Sequence, residues 1–570
     1  MSAASAIILS DCGDAATVKK TARLLEFFGV PARVLNTAEL WLEVEMAKEK
    51  LVVFCEPKTF CRLAKEIEND SNCRALWQSR VHSAFVSGEG IAELVTGFSN
   101  IEVVESRAEI FSVAENLDDV CGVMAGVRCG VEAVKTKKIF VLKSAAASSL
   151  ISNADGAAFA KLDFHGATVC VSTATELVDL DQPLPARVFD VRPHFLSAVP
   201  IVLFIKWSLA TNCWQPPETT ACLVIDDPRL MPRYGFLNFE HLLGLMKRAN
   251  FSTSIAFIPW NCNRSRRRTV RLFQENPQRL SLSVHGCDHT AGEYGSRNRD
   301  RLAWKSRQAM QRMSRHQSRT GLAHDPVMVF PQGVFSEAAM AALKHADFIG
   351  VVNSEVISTD PQPRTITVGD YWGVAVMNYS DFPIFTRRYP SAGIENFAFD
   401  VLLGKPCLVV THHNDFHDDY RYLLNCIEGL NRLKTAVRWT NLAEVARRSF
   451  RQREIIHGVM EVEFFASEVR LENLTAGKKL FRLRKRESEP VSIREIKLDS
   501  QPVKWGVTGN HIELELTLNP GEQKTVSVQY QPATENKFPG ENLRYRLKAM
   551  VRRYLCDIRD NYVMRKSFSQ

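Results

Sequence analysis

Apolar and polar positions divide the chain into stretches with different periods. Up to about residue 190, short apolar runs alternate with helical segments. Residues 6–10, 32–35, 51–55, 83–86 and 138–142 read as strands, and a helix is expected near 15–28. That alternation predicts an open α/β sheet. Segments 155–159 and 166–171 read as a β-hairpin. The apolar stretch 195–209 contains Pro200 and Lys206 and is short for a bilayer span, so a buried helix is expected.

From 215 to about 450 the alternation returns, and strand ends now carry polar or special-backbone residues. Apolar runs at 223–225, 253–258, 282–284, 327–330, 349–352 and 407–410 lead into Asp226, Trp260–Asn261, His285, Gln332, Asn353 and His412–His413. Polar residues gathered at C-terminal strand ends predict a (β/α) barrel with its site on that face. Between 458 and 532 the period falls to two. Residues 512–518 alternate strictly, a turn follows at Asn519-Pro520-Gly521, and 525–530 alternate again. These half-buried antiparallel strands predict a small β-sandwich. A basic amphipathic helix ends the sequence, with Leu543, Leu547, Met550, Tyr554 and Ile558 on one face.

The expected organisation is therefore five parts. They are an α/β accessory unit over 1–190, flavodoxin-like or amidotransferase-like by analogy of fold, and a connecting helix over 191–220. A barrel over 221–455, a sandwich over 456–532 and the helical segment 533–570 follow. Composition fits globular domains, with 45% hydrophobic and 24% charged residues. Neither G-x-G-x-x-G after the first strand nor G-x-x-x-x-G-K-[ST] is found, so no dinucleotide or nucleoside-triphosphate site is supported. Basic residues cluster at 264–271 and 544–553 with one aromatic, Tyr545, among them and not the interleaving of a base-stacking platform, and nucleic acid is not expected. Fourteen cysteines show no C-x-x-C pair and read as reduced core residues. With no export signal recognised, a cytoplasmic protein is expected. Segment 541–563 offers a possible peripheral membrane contact.

Two motifs carry chemistry. Ile225-Asp226-Asp227-Pro228 ends one apolar run, and His285-Gly286-Cys287-Asp288-His289 ends another. Adjacent buried carboxylates are costly without compensation. A helix cap explains one Asp but not both. On a helical turn, His285 and His289 would lie about 5–6 Å apart on one face, close enough to share a cation. One Asp with two His leaves coordination positions open for water and substrate, as a catalytic metal requires. Trp260 and Asn261 are candidates for sugar contact, Asp288 for support of the histidines, and Gly292-Glu293-Tyr294-Gly295 for a loop at the rim.

On these motifs, residues 221–450 resemble the NodB-like polysaccharide deacetylases of carbohydrate esterase family 4. Their T-F-D-D-G-P corresponds to Val224-Ile225-Asp226-Asp227-Pro228, and their H-[ST]-x-x-H to His285–His289. The resemblance implies a distorted (β/α) barrel of the polysaccharide-deacetylase type. It implies Asp226 as catalytic base, and Asp227, His285 and His289 as ligands of a divalent metal, usually Zn²⁺. Their R-x-P-Y-G is matched only by Val329-Phe330-Pro331-Gln332-Gly333. Pro331 and Gly333 fit, the Gln332 N–H would meet the oxyanion, and Val329 replaces the Arg that orients the base. Their terminal Leu-x-x-His corresponds to 408–412, with one residue more between Leu408 and His412, which makes His412 the general acid, with His413 in competing register. The implied reaction is removal of an N-acetyl group from a glycan or glycan precursor. Glycosidic cleavage on the same barrel, and a non-catalytic scaffold or carbohydrate-binding role in surface-polysaccharide production, are the alternatives.

Overall fold

A computed structural model describes residues 6–11, 15–47, 50–96, 101–130, 138–417, 420–533 and 538–563. In the N-terminal part, strands Ala32–Leu35, Ala6–Leu9, Leu51–Cys55, Val81–Val86 and Ala167–Ser172 lie side by side in that order, all parallel. Beyond Ala167–Ser172 the sheet turns antiparallel. The expected hairpin joins Ala157–Phe164 to Ala167–Ser172. Its two-residue turn uses His165 and Gly166, both at positive φ, as tight hairpin turns require. The 138–142 run is part of Ile139–Lys143, which pairs antiparallel with Glu102–Ser106. The sheet is thus mixed, and its antiparallel pairing extends beyond the one expected hairpin.

Helix Phe195–Leu209 connects this part to the next. Residues 192–212 are long and apolar enough to cross a membrane. Phe195, Val199, Val202, Phe204 and Ile205 are instead buried in the largest apolar cluster. The sequence expectation of a buried helix describes its surroundings.

Among the described residues the central sheet has eight parallel strands; one, Val437–Trp439, pairs with the first residues of Thr219–Asp226 off the main path, and the other seven form a continuous row. These seven are β1 (Thr219–Asp226), β2 (Thr253–Phe257), β3 (Leu280–His285), β4 (Val327–Val329), β5 (Gly350–Asn353), β6 (Ile384–Thr386) and β7 (Cys407–His412). The order is β6-β5-β4-β3-β2-β1-β7. Residues just past β6 bring the edges together, because Arg388 bridges Val409 of β7 in parallel. The sheet therefore curls around an interior, and six of its strands match the sequence reading. The seventh, β6, was not anticipated. It is three residues long and follows Pro383, too short a run for periodicity to register.

Alternation along these strands decides what faces inward. Cys222 and Val224 of β1, Val329 of β4, Val352 of β5, Phe385 of β6 and Leu408 of β7 share one cluster inside the curl. Their neighbours Leu223, Ile225, Ile384 and Val409 pack outward. Continuing each inward set by two residues reaches Asp226, Ser354, Arg387 and, through Val410, His412. Strand period alone thus aims these side chains at one end of the barrel.

The 450–530 region forms two sheets over a common apolar cluster. Strand His511–Leu518 belongs to one, and Gln523–Tyr530 to the other. The Asn519-Pro520-Gly521 turn crosses between the sheets instead of closing a hairpin. One pairing, Val459–Phe464 with Lys479–Arg486, is parallel. Among the described residues the cysteines are free.

Candidate metal centre

Asp226 is the last residue of β1 and is 3% exposed. Both its oxygens accept hydrogen bonds from Arg387, each at 2.7 Å. This bidentate pair corrects one sequence expectation. The Arg lost at Val329 is supplied from the end of β6, so the carboxylate does have a cationic partner. Burial by itself would raise the Asp226 carboxyl, but the Arg387 charge, with His285 nearby, outweighs it and holds the group below its ordinary range.

Asp227 follows at φ 82°. Such a conformation is costly for a residue with a Cβ and is found where a side chain must be re-aimed. The turn directs Asp227 away from Arg387 and toward the histidines. Its Oδ1 lies 2.9 Å from His289 Nε2 and 3.4 Å from His285 Nε2. That oxygen is buried without a well-formed hydrogen bond. The three donor atoms lie within 4.8 Å of one another. Burial raises the Asp227 carboxyl, and the two rings more than reverse it, to well below the usual carboxylate range.

The histidines converge by a route the sequence did not suggest. Residues 286–290 are a loop, not a helical turn. Gly286 and His289 both take positive φ. A Cβ at 286 would collide with Glu293 and Pro331. The loop is held by Glu293, whose carboxylate accepts from the N–H groups of Cys287, Asp288 and His289 at 2.9, 3.1 and 3.0 Å. Expected at a rim, Glu293 is buried. His285 Nδ1 donates to the Val329 carbonyl at 3.0 Å. This places the lone pair on Nε2, facing Asp227, as metal-binding histidines are commonly prepared. An anionic oxygen that makes no well-formed hydrogen bond, a ring nitrogen with its lone pair inward and a second ring nitrogen beside them fit a divalent cation.

The cavity beside these groups has a volume of about 310 Å³. Asp226, Asp227, His285, His289, Gln332, Gly333, Arg387 and His412 all line it. Gln332 takes φ 59°. Strand parity separates the two competing histidines. His412, in register with Asp226, lines the cavity and stacks at 6.4 Å on Tyr389. Its backbone N–H donates to the Asp415 carboxylate at 2.8 Å. His413 is buried elsewhere, edge-on to Tyr234 and 3.4 Å from Asp560.

The remaining candidates fall outside the cavity lining. Pro331 is buried against Gly286. Trp260 packs edge-on to Tyr554 and beneath Arg264, and Asn261 is buried with its oxygen accepting from Arg264. Asp288 does not touch the histidine rings; it binds Lys305 and Arg312 at 2.7 and 2.6 Å.

Unforeseen, helix Leu543–Ile558 walls the cavity with Arg552, Arg553 and Cys556. Arg553 donates to His289 Nδ1 at 3.3 Å. A larger cleft, about 1230 Å³, lies elsewhere and is lined by Trp214, Arg451, Arg453 and Arg484. Those arginines are paired with Glu461 and Glu463, and among the described residues no comparable donor set lines the cleft.

No family model matches the chain, and no curated protein matches it. Solved structures similar to part of it include a peptidoglycan deacetylase from Bacillus subtilis. That protein is 10% identical, with 41% of this chain and 93% of that one covered and a TM-score of 0.24. An acetyl xylan esterase of family 4 from Clostridium thermocellum, in complex with a cobalt ion, is 12% identical over 40% and 90%, TM-score 0.25. A CE4 family pseudoenzyme from Bacillus anthracis is 11% identical over 40% and 66%, TM-score 0.26. The relation is divergent and confined to a segment. At such scores it assigns no role to any residue of this chain.

Proposed function

We propose that this protein is a metal-dependent hydrolase that removes an acyl group, N-acetyl by preference, from a glycan or glycan precursor. One observation carries the reading. Asp226 and Asp227 are adjacent, yet one is fixed by Arg387 and the other shares a buried cluster with two histidines, all on one cavity. Base and ligand are thereby separated in space although contiguous in sequence.

Asp227, His285 and His289 would hold the ion, Zn²⁺ by the chemistry of the set. A divalent cation so bound lowers the pKa of a coordinated water and polarises a carbonyl oxygen. Asp226 takes the proton from the attacking water, while Arg387 fixes the carboxylate and keeps it ionised. The Gln332 N–H donates to the developing oxyanion. His412 gives its proton to the departing nitrogen. The test is acetate release from a panel of N-acetylated oligosaccharides, with zinc measured in the same preparations. Zinc at one per chain with acetate release supports the reading; shortened oligosaccharides with intact acetyl groups would replace it with glycosidic cleavage.

One observation favours a second, non-catalytic reading. The guanidinium of Arg553 can only donate, so His289 Nδ1 accepts and the proton of the neutral ring lies on Nε2, the atom facing Asp227. Metal uptake requires that bond to be given up. A protein that takes up no zinc at saturating concentration would establish the non-catalytic reading.

A further inference from the structure

Helix Leu543–Ile558 is oriented opposite to an ordinary surface helix. Its inward face is polar. Tyr545 Oη meets Lys305 Nζ at 2.8 Å and Thr290 Oγ1 at 2.8 Å. Arg553 reaches His289. Asp557 accepts from Arg264 at 2.5 Å and pairs with Arg229 at 3.3 Å. Just beyond the helix, Asp560 accepts from Tyr234 at 2.9 Å. The apolar residues are on the other side. Leu543, Leu547, Met550, Val551, Leu555 and Ile558 are 39–69% exposed.

Amphipathic helices normally bury such a face. At 3.6 residues per turn, this one spans roughly 140° of the circumference. Exposed basic residues accompany it, with Lys548 along one edge, Arg546 along the other and Arg544 within it between Val551 and Leu555. A broad apolar face between basic margins suits a helix lying in a lipid interface, its apolar side among the acyl chains and its cations among anionic head groups. We infer that helix 543–558 is a docking surface for an anionic lipid bilayer. The polar contacts of the inward face leave the apolar side free for lipid while the helix stays attached to the barrel.

The same helix walls the candidate metal cavity. Docking therefore seats that cavity beside the bilayer surface. Resting on the function proposed above, this makes the substrate class a glycan carried at a membrane, with its acyl group held within reach of the head-group layer.

Flotation of the full-length protein tests the docking surface. Vesicles of phosphatidylcholine alone are compared with vesicles containing phosphatidylglycerol. The protein is expected to float with the anionic vesicles, and added salt to weaken the binding. Arg544→Gln and Lys548→Gln should each weaken it about fivefold. The double variant Leu547→Glu/Leu555→Glu should abolish flotation with an unchanged circular dichroism spectrum, because both side chains are exposed. Absence of flotation, or flotation unchanged by the double variant, would overturn the inference. So would a dimer, seen by light scattering, that the double variant converts to monomer; the face would then be a self-association surface. Zinc uptake by the double variant, measured in parallel, reports on the metal site alone. Zinc binding without flotation in the wild type would sink the docking surface and leave the proposed function standing.

Discussion

Two clusters of buried charge sit side by side at this end of the barrel, and neighbouring residues divide between them. His289 faces Asp227 and the cavity. Asp288 joins Glu293, Lys305, Arg312 and Tyr545 in a cluster that does not line that cavity. In that second cluster each charge has its partner. Lys305 Nζ lies 2.7 Å from Asp288 and 3.6 Å from Glu293, and Arg312 takes the other Asp288 oxygen. In the first, Arg387 satisfies Asp226, but the Asp227 oxygen is crowded by ring nitrogens without a good hydrogen bond. Buried charge is therefore not the mark of a site. The mark is buried charge whose lone pairs are left for something else.

Four substitutions should separate the two clusters. The largest effect is expected from His285→Ala, which removes a donor from a three-donor set. Zinc measured by mass spectrometry should fall to background and acetate release should vanish. Asp226→Asn should lower kcat on the order of a thousandfold while zinc stays at the wild-type level. Equal turnover by this variant would remove Asp226 from its role. Lys305→Met should leave catalysis intact but lower unfolding free energy by about 3–5 kcal/mol, since Glu293 would remain buried without its cation and Asp288 would keep only Arg312. Urea denaturation measures it, and lost zinc in the folded variant would show the clusters to be one unit. The smallest effect is Tyr545→Phe, about 1 kcal/mol by the same method.

The second cluster also has a pH signature. Burial raises the Asp288 carboxyl, but Lys305 and Arg312 outweigh it and bring it below its ordinary 3.8. A depressed carboxyl contributes stability that is full above the unfolded value and lost as pH falls through the folded one. The stability gap between wild type and Asp288→Asn should be complete at pH 7. It should narrow only below about pH 4, as denaturation curves at several pH values would record.

Much of the barrel was legible because strand period and strand-end polarity are local signals. Six runs and the residues at their ends could be read directly. Asp226, Asp227, His285 and His289 meet where those runs pointed. What stayed hidden depends on contacts remote in sequence. Arg387 directly follows a strand of three residues, and its bond to Asp226 joins positions 161 apart. A buried Arg beside Pro383-Ile384-Phe385-Thr386 offered one faint cue, another polar residue at an apolar run's end. Glu293 serves backbone N–H groups, which no side-chain pattern reveals. The loop carrying the histidines depends on Gly286 and that carboxylate, not on helical spacing. The terminal helix had a visible apolar stripe, but nothing in the stripe tells which side the protein would cover.

The cavity wall is built by two distant moments of chain synthesis. Arg553 follows His289 by 264 residues. At ribosomal rates of about 5–20 residues per second, tens of seconds separate them. Throughout that interval the nascent chain has Asp227, His285 and His289 but no Arg553 to hold His289 Nδ1. An ion met during translation encounters the donor set before its wall exists, whereas one met afterwards must displace an arginine first.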